Sequence, residues 1–262
     1  MNLTYLAVGL AVLLGLAIGS FLNVVIWRVP RGESVVKPPS HCPGCDREIL
    51  GRDNIPVVSW LLLRGKCRSC GNPISGRYPS VELLTAVIFG VLAVKFGWSL
   101  QLLAFEYLAA ATIALSFIDL DTKRLPDVIV LPSYFVGTLL LAIAAGTSGE
   151  WHRLLGAGLG ALALFGFYFS TWFVFPRGMG FGDVKLAGVL GLYLGWLGWG
   201  PVVVGAFSGF LIGATAGVFL MAFSRAGRKS AIPFGPAMCV GTLTGILIGQ
   251  PIATWYLTLL TG

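Results

Sequence analysis

GMGFGDVK, Gly178 to Lys185, sets one carboxylate, Asp183, between a glycine-rich turn and an apolar run that starts at Val184. Apolar stretches flank it on both sides, Leu154 to Phe175 before it and Val184 to Trp199 after it. An acid at such a junction costs about 2.5–3.5 kcal/mol at the centre of a bilayer, and less near the interface. Two readings compete. Asp183 is a cap for the following helix, its charge meeting the helix N-terminus, or it is a functional acid. The rest of the chain has to decide between them.

Working outward, the 262 residues are 56% hydrophobic and only 11% charged, against a usual charged share of about 25%. That composition reads as an all-α polytopic membrane protein with about eight transmembrane helices. The spans are Leu3–Trp27, Val81–Phe96, Leu100–Ile118, Val128–Ala145, Leu154–Phe175, Val184–Trp199, Pro201–Phe223 and Phe234–Leu259, with Pro251 bending the last or starting a short terminal piece. Residues 1–27 form the first helix, 28–79 a polar loop, and 80–262 the membrane core. The N-terminus lacks a basic n-region, so its apolar run reads as a spanning helix and not as a cleaved signal. The net charge of +7 excludes neither nucleic acid nor membrane by itself, but its distribution decides. With the N-terminus outside, the segments 28–79, 119–127, 176–185 and 224–230 hold 16 of the 18 basic residues. Basic residues placed between apolar spans follow the positive-inside rule, which makes lipid the partner and not nucleic acid. Both termini then face away from the cytoplasm, and Asp119, Asp121, Asp127 and Asp183 share its side.

The polar loop carries Cys42-Pro43-Gly44-Cys45 and Cys67-Arg68-Ser69-Cys70. Each C-x-x-C pair aims two thiolates at one ion, and two pairs complete a tetrahedral zinc site. Two disulfides are the alternative, disfavoured in a reducing cytoplasm. Cysteine fills all four positions, so the expected zinc is structural, staking down a loop of about 50 residues between the first and second helices. His41 reads as a flanking loop residue and Cys239 as packing.

Two neighbouring carboxylates cannot both ionise easily, so one keeps its proton. The ionised one can activate water and the protonated one can polarise a carbonyl. Asp119 and Asp121 lie about 200° apart on a helix; Asp119 directly ends an apolar run, whereas Asp121 neighbours Lys123 and Arg124. Asp127 follows Pro126 and reads as a helix-start residue. Asp119 is thus preferred as the partner of Asp183.

At this point the chain resembles a known family. GSFLNVVIWRVPRG (Gly19 to Gly32), the paired C-x-x-C loop, GRYPSVELL (Gly76 to Leu84), FIDLDTKRLPD (Phe117 to Asp127), GMGFGDVK and IPFGPAM (Ile232 to Met238) resemble, in order, the motifs of the type IV prepilin peptidases. The resemblance covers nearly the whole chain and implies an enzyme of the bacterial inner membrane. It would be an aspartic endopeptidase of prepilins or pseudopilins, and also an N-methyltransferase that uses S-adenosylmethionine. It implies Asp119 and Asp183 as the catalytic pair, with Gly180 and Gly182 letting backbone approach the substrate and taking angles closed to bulkier residues. It leaves open which acid is the base and where S-adenosylmethionine binds; Arg77 and Glu82 either help to bind it or pair with each other. Rival readings are a zinc-stapled scaffold of a secretion system, an intramembrane protease without methyl transfer, and a cation pathway, for which Glu106 is the only acid at depth.

Overall fold

The computed structural model describes residues 3–176, 178–223 and 233–261. The basic connector Arg225, Arg228 and Lys229, and Ile232 of the last motif, lie outside the described residues. Nine helices are described: α1 Leu3–Arg28, α2 Val58–Leu62, α3 Arg77–Phe96, α4 Leu100–Thr122, α5 Asp127–Ser148, α6 His152–Val174, α7 Phe181–Leu197, α8 Trp199–Phe223 and α9 Gly235–Thr261. Among the described residues no strand forms, only two isolated β-bridges in the polar loop. The all-helical membrane fold is as expected. Among the described residues, seven helices of 18 residues or more are apolar enough to cross a membrane, with the shorter α7 beside them.

The helix ends differ from the sequence reading in an informative way. Helix α4 continues to Thr122, so Asp119 and Asp121 sit in its last turn and not in the connection after it. Helix α7 starts at Phe181, which takes Asp183 inside the helix. Helix α9 runs through Pro251 without interruption. Turn chemistry accounts for several stops: Gly97, Gly149 and Gly198 each follow a helix with positive φ and return an N–H to a carbonyl of its last turn.

The chain folds as two compact units, Met1–Ala114 and Leu115–Gly262. In the first, α1 packs on α3. A Cβ added at Gly15 would lie 2.6 Å from Ala86 Cα, and one at Gly19 would lie 2.7 Å from Glu82 Cα. In the second unit α7 is central, packed by α5, α6, α8 and α9. Its 17 residues span about 26 Å, the lower end of what a crossing needs, and it is buried along most of its length. A helix covered on every side can be apolar all round. Glycines set the approach: Gly156 and Gly160 of α6 face Gly191 and Gly195 of α7, and a Cβ at Gly160 would lie 2.7 Å from Gly195 Cα. Such small-residue seams replace the hydrophobic driving force that lipid removes.

The start of α7 has further ties. The Tyr134 hydroxyl of α5 donates to the Lys185 carbonyl at 2.7 Å. Lys185 Nζ reaches both carboxylate oxygens of Asp127, the first residue of α5, at 2.8 Å. Gly160→Leu should push α6 off α7 at a cost of about 3 kcal/mol or more, since the opposing atoms are backbone and cannot repack. A fall in the thermal midpoint of the purified protein checks this.

Candidate active site and thiolate cluster

Asp119 lies in the last turn of α4 and is 5% exposed. Its Oδ2 accepts the backbone N–H of Gly235, the first residue of α9, at 3.0 Å. Asp183 is the third residue of α7 and is 8% exposed; its Oδ2 accepts the Gly180 N–H at 3.1 Å. Asp183 is therefore not the N-cap, a position that Gly180 holds. It makes the return bond of a capping box, binding the N–H that opens the helix. The capping and functional readings are compatible, because one oxygen serves the cap.

The two carboxylates lie within each other's electrostatic field. Leu125, in the turn after α4, joins the two motifs: a Cβ on Gly182 would lie 3.1 Å from Leu125 Cβ, and one on Gly235 would lie 3.4 Å from Leu125 Cδ2. An aromatic wall stands nearby. Tyr168 stacks on Phe210 at 5.3 Å and approaches Phe234 at 6.3 Å. Tyr168 feels the charge of Asp183, and Cys239 that of both acids. Two helix N-termini, those of α7 and α9, thus point backbone donors at two buried acids, an arrangement that suits negative charge. Such a pair can bind a water and polarise a carbonyl between its members. Asp121 is exposed, and Asp127 is taken up by Lys185.

The unusual backbone angles expected of Gly180 and Gly182 do not occur. Gly180 has φ −75° and ψ 147°, angles open to any residue, and Gly182 has no positive φ. A side chain at Gly182 would press on Leu125, which would have to yield by a few tenths of an ångström. Gly235 escaped the sequence reading, which quoted its motif without giving it a task. A Cβ there would lie 2.8 Å from Asp119 Oδ2. A glycine followed by a proline at the start of an apolar run was the available signal.

In the polar loop, the Sγ atoms of Cys42, Cys45, Cys67 and Cys70 all lie within 4.8 Å of one another. All four are free, which removes the disulfide alternative. Cys42 Sγ and Cys70 Sγ are 3.7 Å apart; a tetrahedral ion with metal–sulfur bonds of about 2.3 Å needs about 3.8 Å. The two knuckles repeat each other. Cys42 N–H bonds Arg47 O at 2.9 Å and Ile49 N–H bonds Ser40 O at 2.8 Å; Cys67 N–H bonds Asn72 O at 2.8 Å and Ile74 N–H bonds Gly65 O at 2.7 Å. Positive φ falls at the matching positions, Asp46 and Gly71. The N–H groups of Cys70 and Ser69 pull the Cys67 thiol down to about 6. The Asn72 N–H also pulls on Cys70, but burial and its bonds to Cys45, Cys67 and Cys42 outweigh that and raise it to about 12. A cation among them would let all four ionise together, and the sulfur spacing fits one. Arg68 further ties the second knuckle to Asp53 through a two-pronged ion pair at 2.7 and 2.9 Å.

Fold and site together define a polytopic helical membrane protein with a buried carboxylate pair and a four-thiolate loop. Residues 13–96 match the Bacterial Peptidase A24 N-terminal domain, and residues 106–223 match the Type IV leader peptidase family. The chain belongs to the type IV leader peptidase family. It is similar to the prepilin leader peptidase/N-methyltransferase of Aeromonas hydrophila, 37% identical over 98% of this chain and 96% of that one. It is also similar to the proteins of the same name from Neisseria gonorrhoeae, 41% identical over 89% and 88%, and Pseudomonas aeruginosa, 37% identical over 94% and 92%. No solved structure matches the chain.

Cys45→Ser removes one of four ligands. Elemental analysis of the purified protein should show close to one tightly held divalent ion per wild-type chain and a marked loss in the variant. A strong chelator should expose the loop to limited proteolysis.

Proposed function

We propose that this protein removes the leader peptide from type IV prepilins or pseudopilins by an aspartyl dyad, Asp119 and Asp183, and methylates the new N-terminal amine using S-adenosylmethionine. The observation that carries the first part is the pair of buried acids. Each accepts a glycine N–H, Asp183 feels the charge of Asp119, and both lie within residues 106–223, the stretch that matches the Type IV leader peptidase family. The relatives' common name supports the second part.

The distribution of basic residues supports an orientation with the acid-bearing helix ends at the cytoplasmic face of the inner membrane and both termini outside. A prepilin presents its scissile bond there, between a basic leader and an apolar helix. One carboxylate, ionised, takes a proton from water as the water attacks the scissile carbonyl. The other, protonated, donates to the carbonyl oxygen, and the proton gained by the first goes on to the leaving amine. The two titrate as a pair, so the roles belong to the pair. Gly182 and Leu125 line the approach of the peptide. Zinc is the ion proposed for Cys42, Cys45, Cys67 and Cys70, on the strength of the four-sulfur tetrahedron. It would have a structural role, since no open ligand position remains. The glycine-rich stretch before α7 follows no strand and caps a membrane helix, which does not fit a nucleotide-binding turn; it is not assigned to S-adenosylmethionine.

Purified protein incubated with a prepilin and methyl-labelled S-adenosylmethionine should give a cleaved pilin carrying label. Asp119→Asn and Asp183→Asn should each abolish cleavage while still methylating a pilin supplied already cleaved. Substantial cleavage by either variant would sink the dyad. Gly235→Ala crowds the Asp119 carboxylate and disturbs a bond worth about 1.5–3 kcal/mol, so turnover should fall roughly tenfold to a hundredfold. Methylation of the cleaved pilin should be kept, which separates this loss from misfolding.

A further inference from the structure

The polar loop contains one short apolar stretch that neither the ion nor the dyad explains. Helix α2 exposes its large side chains: Val58 is 48% exposed, Leu61 61% and Leu62 78%, with Ile55 just before it at 49%. Four large aliphatic side chains facing outward within eight residues form an unusual patch in a segment otherwise made of charge and turns.

Two hydrogen bonds fix the level of this patch. The Val57 N–H donates to Glu82 Oε2 at 2.7 Å, and the Trp60 indole N–H donates to the Ile74 carbonyl at 3.1 Å. Ile74 lies just before α3, and Glu82 lies five residues inside it. Five residues of helix rise about 7–8 Å, and all 20 residues rise about 30 Å, the thickness of the hydrocarbon core. The tethers therefore hold α2 beside the first turns of a membrane-spanning helix, where headgroups give way to acyl chains.

The tether is built at the cost of strain. Val57 has φ 60° and ψ −48°, and the Val58 N–H turns back to the Pro56 carbonyl at 2.6 Å. This is a γ-turn centred on a β-branched residue, a sparsely populated backbone that persists only when its surroundings enforce it. The enforcing group is Glu82, itself buried and also bonded to the Ser20 hydroxyl of α1. Three exposed cations, Arg52, Arg64 and Lys66, stand on either side of the patch, while the acid beside them, Asp53, is paired with Arg68. Aliphatic side chains at interfacial depth, flanked by exposed cations, form the pattern of a segment that lies in an anionic membrane surface.

We propose that α2 is a membrane-interface finger. Ile55, Val58, Leu61 and Leu62 enter the acyl boundary beside α3, Arg52, Arg64 and Lys66 bind acidic phospholipid headgroups, and Glu82 holds the finger at that depth. The finger fastens the metal-binding loop to the bilayer surface, independently of either enzymatic activity. An exposed apolar patch at this level also suits the apolar helix of a substrate, and the test separates the two occupants.

Leu61 and Leu62 are replaced in turn by the photoreactive residue p-benzoylphenylalanine in the full chain, which is then placed in nanodiscs of phosphatidylethanolamine and phosphatidylglycerol. The same replacement at Leu139, a half-exposed position within α5, is the reference for lipid contact. Irradiation should give phospholipid adducts at positions 61 and 62 in yields within a few-fold of position 139, unchanged when a prepilin is added. The Glu82→Gln variant should lose a large share of the adducts at position 62 but not at 139. Two results would overturn the proposal: no lipid adduct at 61 and 62 while 139 forms them, or adducts that pass from lipid to the prepilin when it is present.

Discussion

Close backbone approach at α7 is the constraint on which the second unit depends. Lipid offers helices no hydrophobic reward for associating, so contact has to come from shape and dispersion. Glycines on α6 and α7 bring two backbones together where any side chain would intrude. A helix gripped in this way along most of its length cannot rotate or slide freely. Asp183 sits in its first turn and inherits that rigidity, and the Tyr134 and Asp127 contacts from α5 fix the same turn from another side. The acid is placed by packing a dozen residues away.

The two carboxylates illustrate how such a fold tolerates charge in an apolar setting. Each gives one oxygen to a backbone donor at a helix N-terminus, which leaves the second oxygen available for chemistry. Fixed dipoles of this kind need no reorganisation when charge develops, whereas water would have to reorient. The thiolate loop answers a similar problem by another route. It has too few apolar side chains for a core, and four cysteines that could hold an ion bring together two hairpins that are near copies of each other.

The fold was legible in the sequence because apolar length is a direct physical requirement of the bilayer. The orientation argument came from lysine and arginine counts, and the cysteine spacing specified the thiolate cluster. Asp119 was preferred because it ends an apolar run, and the structure buries it while leaving Asp121 exposed. The failures share one cause. Gly235 and Asp119 meet across a long stretch of chain, as do Val57 and Glu82 and also Lys185 and Asp127. Nothing in a local pattern announces such partners. The glycines of the aspartate motif were credited with unusual backbone angles, whereas Gly182 answers to the bulk of Leu125, a neighbour that no spacing rule identifies. The exposed side chains of α2 were hidden in a loop that averages out as polar.

The bond between Asp119 and Gly235 joins residues 116 positions apart, and this has a consequence in time. A ribosome delivers α4 and α7 to the membrane well before the first residue of α9. Until that last helix inserts, the Asp119 carboxylate lacks its donor and the pocket its Phe234 wall. The half-made chain therefore carries both acids before the surroundings of Asp119 are complete, and the bond that holds Asp119 is among the last to form.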